Sequence, residues 1–531
     1  MKKNFEEIEE IKNVLYLKSL RLLRSKLVLS LLILFFSVLI IGCTKKDETE
    51  IILDNSEPLA LAPDVQWAVV SEPYAAFKES KDWSASVIGH CRKGDVLQIK
   101  GKSFDSKNEV WYYFEQGWLH SSSVLVYSNR LRAQKYASQT EKSLNSKYKF
   151  FIKGQVMSKI NIIAEIGTSH EGSIQKAKQL VDAAVESGAN TVKFQWVYAD
   201  EILHPDTGFV QLPTGKIPLY QRFRELECNP EFYYELQDYV HKKGAKFCCS
   251  PFGLKSLEQL LSINPDFVKI ASPELNHFKM LEKLADYREN QKKQSQPVVP
   301  VILSSGVSKL SDIQDAVEIL GTEKVQLLHC ITSYPAPECE YNLKVIENLK
   351  NIFGIECGVS DHSLDPVLVP VLSVLCGGTI IEKHITLSKK TDGLDDPVAL
   401  EPEQFALMVH VVHQTEVSLN HYGKELGFKR AVEQLSEQFG TKKVHECLGD
   451  GIKRLATSEI KNYNRTNRSL HYMRDMKCGE IIQESDIAIL RTEKVLSVGT
   501  SPKFFDLLIG KKLTKSVKNG EGVLLEHFLS E

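Results

Sequence analysis

The chain has 531 residues, 43% of them hydrophobic and 25% charged, with a formal net charge of -2. At about 100–200 residues per domain this length implies about three domains, and the near-neutral charge gives no reason to expect nucleic acid as a partner. Eleven cysteines, an odd number without paired CxxC spacing, point away from a zinc site or a disulfide framework and towards buried thiols in a reducing compartment.

In chain order, residues 27–41 form an uncharged apolar run behind Lys18, Arg21, Arg24 and Lys26. The run is shorter than the roughly 20 residues of a spanning helix and reads as a signal-type segment. Ile40-Ile41-Gly42-Cys43 resembles a lipoprotein lipobox, which implies cleavage before Cys43 and lipidation of its thiol; an uncleaved membrane anchor is the other reading of 1–43. Either way, the chain beyond the apolar run is expected to be exported. Asp47 to Pro63 reads as a linker. From 64 to 128, alternating segments such as Val65–Val70, Asp95–Lys100 and Val110–Phe114, broken at Lys93-Gly94, Ser106-Lys107 and Gln116-Gly117, predict a small β-barrel. Trp111 and Trp118 can serve its core or a binding face, and core packing is the commoner use of such rings. Lys93–Val126 resembles a bacterial SH3-like domain. Residues 129–158 read as a second linker.

From 159 the texture changes. Eight apolar runs, beginning near 160, 191, 245, 266, 298, 325, 355 and 379, alternate with helical stretches such as Ser173–Ser187, Pro230–Lys243, Ser311–Leu320 and Val367–Leu375. Such alternation means parallel strands with crossover helices, and eight units over 159–425 predict a closed (β/α)8 TIM barrel of the α/β class. An open doubly wound sheet is the alternative, but no GxGxxG follows the first strand.

Barrel chemistry sits at the C-terminal strand ends, where polar residues concentrate: Glu165, Lys193 with Gln195, Ser250, Lys269 with Ser272 and Glu274, Ser304, Thr332 with Tyr334, Ser360 with His362, and Glu382 with His384. Alternation along a strand sends Lys193/Gln195, Ser360/His362 and Glu382/His384 each to one face. Two lysines among hydroxyls suit a phosphate and a carboxylate. Two histidines ending the last strands can share a divalent ion; by themselves they are a weak metal signal.

IAEIGTSHEG (Ile163–Gly172), VKFQ (Val192–Gln195), CSPF (Cys249–Phe252), KIASPE (Lys269–Glu274), ILSSG (Ile302–Gly306), LLHCITSYPAP (Leu327–Pro337), GVSDHS (Gly358–Ser363) and IIEKHIT (Ile380–Thr386), in this order, resemble the sialic acid synthase family. The resemblance implies condensation of phosphoenolpyruvate with an N-acetylated amino sugar, aided by Mn2+ or Mg2+. It implies His362 and His384 as metal ligands. Lys193, Ser250, Lys269, Ser272, Ser304, Thr332 and Ser360 match phosphoenolpyruvate contacts, and Gln195, Glu274, Tyr334 and Asp395 match sugar contacts. Glu165 and Glu274, with the two lysines, are the candidates for catalytic work. Thr332 stands where some members have Asn, and Gly393-Leu394-Asp395-Asp396 leaves open which aspartate meets the sugar. The loop Gln211–Tyr220 yields no assignment.

Residues 426–465 read as a linker. The segment 466–531 resembles the family's antifreeze-protein-like (SAF) domain, which implies a homodimer exchanging this domain, with Arg468 reaching the site and Arg465 competing for that role. The competing reading is a cell-envelope binding lipoprotein with an inactive barrel; among enzymes, the rivals are legionaminic and pseudaminic acid synthases. Phosphoenolpyruvate is cytosolic, so the catalytic part is expected in the cytoplasm, self-sufficient from Met157, with membrane attachment confined to the N-terminal segment.

Overall fold

The computed structural model describes residues 66–137 and 159–529, apart from 73, 84, 93, 129, 213–214 and 390–392. The expected signal segment with Cys43, the linker after it, Met157 and most of the 129–158 linker lie outside the described residues. No helix among the described residues is long and apolar enough to cross a membrane.

The N-terminal module has strands β1 (Trp67–Val70), β2 (Tyr74–Lys78), β3 (Val87–Arg92), β4 (Val96–Gln98), β5 (Gly101–Phe104), β6 (Val110–Phe114), β7 (Gly117–His120) and β8 (Val124–Tyr127). They form one sheet ordered β4-β1-β8 and another ordered β3-β2-β7-β6-β5. Alternation buries Ala68, Val70, Phe77, Phe114 and Leu119 between them. Trp111, 1% exposed, is a core residue, whereas Trp118 is half-buried and packs on Tyr113.

The expected eight units form the next body of the chain. Strands β9 (Asn161–Gly167), β10 (Thr191–Trp196), β13 (Lys246–Pro251), β14 (Phe267–Ile270), β15 (Val301–Ser304), β16 (Val325–Cys330), β17 (Glu356–Asp361) and β18 (Ile380–His384) pair in parallel, and β18 returns to β9, closing the barrel. Closure excludes the open sheet. The hairpin β11 (Phe209–Leu212) and β12 (Gly215–Pro218) occupies the loop that sequence left unassigned. Crossovers are α1 (Ile174–Glu186), α2 (Pro230–Lys242), α3 (Leu254–Ser262), α4 (Phe278–Lys293), α5 (Leu310–Leu320), α6 (Val345–Phe353), α7 (Leu368–Leu375) and α8 (Pro402–Tyr422). Ser173 and Asn229 cap α1 and α2 by accepting backbone N–H groups. β15 starts at Val301, later than the pattern suggested, because Pro300 has no N–H to donate.

Period two sorts the strand side chains. Val192, Cys249, Val268, Val359 and Ile381 pack outward under the helices, while Ile163, Cys248, Phe267, Ile302, Leu328 and Ile380 fill the barrel interior. Each fully buried aliphatic contributes about 1.5–3 kcal/mol. The adjacent cysteines 248 and 249 thus face opposite ways, as alternation requires. The ten described cysteines are all free; Cys339 and Cys478 are exposed rather than buried.

The segment 426–465 is not a linker throughout. Helices α9 (Lys424–Phe439) and α10 (Thr441–Leu448) occupy its first half, because Leu435, Phe439, Val444, Cys447 and Leu448 recur at helical spacing and join the barrel core. Only 449–467 is free of helix and strand: a strap along the barrel whose second half, 457–466, is a run of hydrogen-bonded turns. Beyond it, β19 (Arg468–Tyr472) pairs antiparallel with β20 (Ile487–Arg491) over a small core of Leu470, Tyr472, Met476, Ile482, Leu513 and Val523.

Candidate active site

The interior-facing parity of the strands extends past the apolar layer to a set of buried charges. Lys193 Nζ lies 2.7 Å from Glu165 Oε2, 3.7 Å from Glu382 Oε2 and 3.4 Å from Ser250 Oγ. Lys269 Nζ lies 3.4 Å from Glu382 Oε1, which also accepts the Ser360 hydroxyl at 2.9 Å. Gln195 donates to Glu165 Oε1 at 2.8 Å. None of these lysines or glutamates is more than 4% exposed.

Such burial separates the two carboxyl groups. Burial opposes ionisation of Glu382, but Lys193 and Lys269 outweigh it and hold its pKa near 2. For Glu165 burial prevails over the attraction of Lys193, and the negative Glu382 adds to it, so its pKa is raised. Lys193 is raised because its two carboxylates overcome burial; Lys269, with burial dominant, is lowered. One carboxyl is thereby a permanent counter-charge and the other a group able to hold a proton.

The histidines lie together at the ends of β17 and β18, their ring centroids 5.5 Å apart. His362 stacks on Tyr334 at 4.3 Å and donates from Nδ1 to the Ile331 carbonyl at 2.8 Å; burial opposes its charge, but Cys330 beside it outweighs burial and raises its pKa to about 9, so Nε2 must give up a proton before it can take a metal. Burial and His362 hold His384 well below its usual pKa, so it is neutral. No group of three or more His, Cys, Asp or Glu able to hold a metal occurs among the described residues, so a divalent ion here would have the two imidazoles as its protein donors.

The two aspartates separate. Asp395 Oδ2 is 3.9 Å from His384 Nδ1, and burial with Glu165 nearby raises its pKa to about 6. Asp396, fully buried, accepts the Ser169 hydroxyl at 2.6 Å. Asp395 therefore faces the site and Asp396 braces the loop. Ser272 Oγ accepts the Gly306 N–H at 2.9 Å, Thr332 lies beside Gly306, and Ser304 Oγ is buried without a hydrogen-bond partner among the described residues.

The small C-terminal domain covers this chain's own barrel. Arg468 bonds Glu274 from Nε, and its other nitrogens donate to the carbonyls of Glu201, Ile489 and Phe252, so all three nitrogens are engaged within the protein. Arg465 holds the carbonyls of Glu493, Lys494 and Leu496 inside the small domain, away from the site. Arg491, opposite Arg468 in the β19–β20 register, also binds Glu274, at 3.0 and 2.5 Å, and lies over the Phe252 ring. Its Nη1 makes no hydrogen bond among the described residues. The two guanidinium groups overcome burial and hold the Glu274 carboxyl below its usual pKa.

Sequence reasoning assigned no role to Glu382 or Arg491. Glu382 shares the parity of His384 and was findable by alternation. Arg491 is brought to the site only by strand pairing 23 positions from Arg468.

The chain is similar to known proteins over each of its three described parts. The sequence pattern of the NeuB family matches residues 180–424, that of the Treponema TP0069 SH3-like domain 68–140, and that of the SAF domain 467–529. The N,N'-diacetyllegionaminic acid synthase of Campylobacter jejuni is 31% identical over 69% of this chain and 99% of its own length. The pseudaminic acid synthase of the same species is 30% identical over 69% and 95%. The crystal structure of the Bacillus subtilis spore coat polysaccharide biosynthesis protein SpsE superposes with a TM-score of 0.57 at 30% identity, covering 71% of this chain and 97% of that one. With barrel, histidine pair and small covering domain in one chain, the protein belongs to the NeuB family of sialic acid synthase-type enzymes.

Proposed function

We propose that the chain condenses phosphoenolpyruvate with an N-acetylated amino sugar, N-acetylmannosamine or a relative of it, and releases phosphate. The observation that carries this reading is two buried lysines bound to one carboxylate, Glu382, near a pair of imidazoles. Lys193 and Lys269 receive the phosphate and carboxylate, and the hydroxyls of Ser250, Ser272, Ser304, Thr332 and Ser360 supply neutral donors. Held rigidly at low dielectric, these groups are oriented before charge shifts between phosphate and carboxylate. His362 and His384 would hold the divalent ion, Mn2+ or Mg2+, which supplies Lewis-acid polarisation of the sugar aldehyde.

C3 of phosphoenolpyruvate then attacks the aldehyde carbon, water adds at C2, and phosphate leaves. Glu165, with its raised pKa, and Asp395 are placed to hold the protons exchanged with the aldehyde oxygen and the incoming water. Gln195, Glu274 and Tyr334 line the sugar side. From the covering domain Arg491, with a free guanidinium edge, takes the substrate-facing role expected of Arg468; Arg468 fixes Glu274. A homodimer with exchanged small domains, which the resemblance implies, makes these contacts between chains; mixing Arg491→Ala with His362→Ala chains restores activity only if the domains exchange.

A 6-deoxy diacetamido aldose is the second reading of the sugar, favoured by the two synthases 31% and 30% identical to the chain. Phosphoenolpyruvate use requires a cytoplasmic barrel, against the export that the first 43 residues imply, and the two are reconciled if the synthase is self-sufficient from Met157 and the front end is a fused lipoprotein-like module. Phosphate release from phosphoenolpyruvate, measured with N-acetylmannosamine and the two diacetamido sugars in the presence of Mn2+, tests the reading. Release with one sugar supports it, and none with any would leave an envelope-binding lipoprotein with an inactive barrel.

A further inference from the structure

The strap between α10 and β19 is attached to the two loops that end β15 and β16. Glu459 in the strap is completely buried. Its Oε1 accepts the backbone N–H of Val307 at 2.7 Å and that of Thr332 at 2.7 Å, while Oε2 accepts the N–H of Ala456 at 3.1 Å. Two backbone N–H groups from neighbouring loops converging on one point form an anion cradle, and here the chain's own carboxylate fills it.

Val307 needs that support. It is β-branched and has φ of 42°, a left-handed conformation that such residues avoid. Its N–H is held by Glu459 and its carbonyl accepts from Asn467 at 3.1 Å. On the other side of Gly306, the Ser305 carbonyl accepts from Lys453 Nζ at 2.8 Å. Gly306 itself has no spare room, since a Cβ there would lie 2.0 Å from Thr332 Oγ1. The strap thus fixes the backbone on both sides of the turn that orients Ser304 and Thr332.

We propose that Glu459 is a positioning residue for phosphate recognition, acting through the Val307 and Thr332 loops; this rests on reading those loops as the phosphate end of the site. Without the carboxylate, Val307 relaxes and the hydroxyls shift, and a displacement of about 1 Å is enough to cost one to two orders of magnitude. Glu459→Gln keeps an oxygen able to accept the Val307 and Thr332 N–H groups, but its amide nitrogen cannot accept the Ala456 N–H.

The test measures inorganic phosphate binding by calorimetry on the full chain, beside KM for each substrate and kcat. Glu459→Ala is expected to weaken phosphate binding at least about tenfold and to raise KM for phosphoenolpyruvate in parallel, with kcat and the sugar KM within about threefold and Glu459→Gln between Glu459→Ala and wild type. If Glu459→Ala does not fold, Lys453→Met, which frees only the Ser305 carbonyl, is expected to weaken phosphate binding about threefold or more. Unchanged phosphate affinity in a folded Glu459→Ala chain, equal losses on both substrates, or no phosphate binding by the wild type would overturn the proposal. Glu459-dependent phosphate binding without turnover of phosphoenolpyruvate would sink the synthase reading and leave this one standing.

Discussion

β17 and β18 carry two buried clusters of lysine and carboxylate, one on each face. On the outer face Lys383 Nζ binds Asp361 Oδ2 at 2.7 Å and the Ser363 carbonyl at 2.5 Å, and Tyr341 donates to Asp361 Oδ1 at 2.7 Å. Both partners are completely enclosed and saturated. On the inner face, one residue away along the same strands, Ser360 and Glu382 meet Lys193 from β10 and Lys269 from β14, and Ser304 Oγ has no partner among the described residues. The same residue types thus build a structural clamp where every donor is used and a binding site where donors remain. Satisfaction, not burial, separates the two.

Substitutions in either cluster test this contrast. The largest effect is expected at Lys269→Met, with kcat/KM falling about 10³-fold because a donor oriented for the substrate is lost. Its unfolding midpoint in urea should stay near wild type, since Glu382 keeps Lys193 and Ser360; a large stability loss would make the inner cluster structural too. Lys383→Met should do the reverse. Breaking the enclosed pair strands Asp361 and costs about 3–5 kcal/mol of stability, while turnover per folded molecule, measured by active-site titration, stays near wild type.

His362→Ala and His384→Ala should each lower turnover about 10²-fold or more and reduce bound metal, with little change in stability. Wild-type rates at unchanged metal content would remove the ion from this site.

Removing the N-terminal module, by expressing Met157–Glu531, probes the outer face alone. Ala76 packs on the barrel core, Asp365 lies among the charges around Lys78, and Lys383 among those around His90. The fragment is expected to lose about 1–2 kcal/mol of stability yet keep its kcat; an inactive, folded fragment would tie the module to catalysis.

The smallest effect near neutral pH concerns acid. His170 is fully buried between Phe194 and Phe232, and burial lowers its pKa to about 4. Burial lowers His277 and His329 likewise to about 3. The unfolded chain takes up these protons near pH 6.5 and the folded one does not, so stability is unaffected above about 6.5 and falls as pH drops towards 4, by about 1.4 kcal/mol per unit and group. His170→Phe should flatten part of that slope in urea titrations at pH 7.5, 6 and 5. An unchanged slope would mean that His170 is protonated in the folded barrel.

Much of this organisation was legible because it is local. Alternation fixes which side chains share a strand face, so the eight strands, the parity of Lys193, Ser360, Glu382 and His384, and the motif order all follow from residues near one another in sequence. Helical spacing in 426–448 is equally local, and reading 426–465 as a linker overlooked an apolar stripe. Tertiary structure alone decided the rest. That Asp395 rather than Asp396 faces His384, that Arg491 joins Arg468 on Glu274, and that Glu459 reaches Val307 and Thr332 across more than a hundred residues depend on how loops close and domains dock. Such contacts leave no period in the sequence, because their geometry is set by packing between segments whose separation along the chain carries no information about their distance in space.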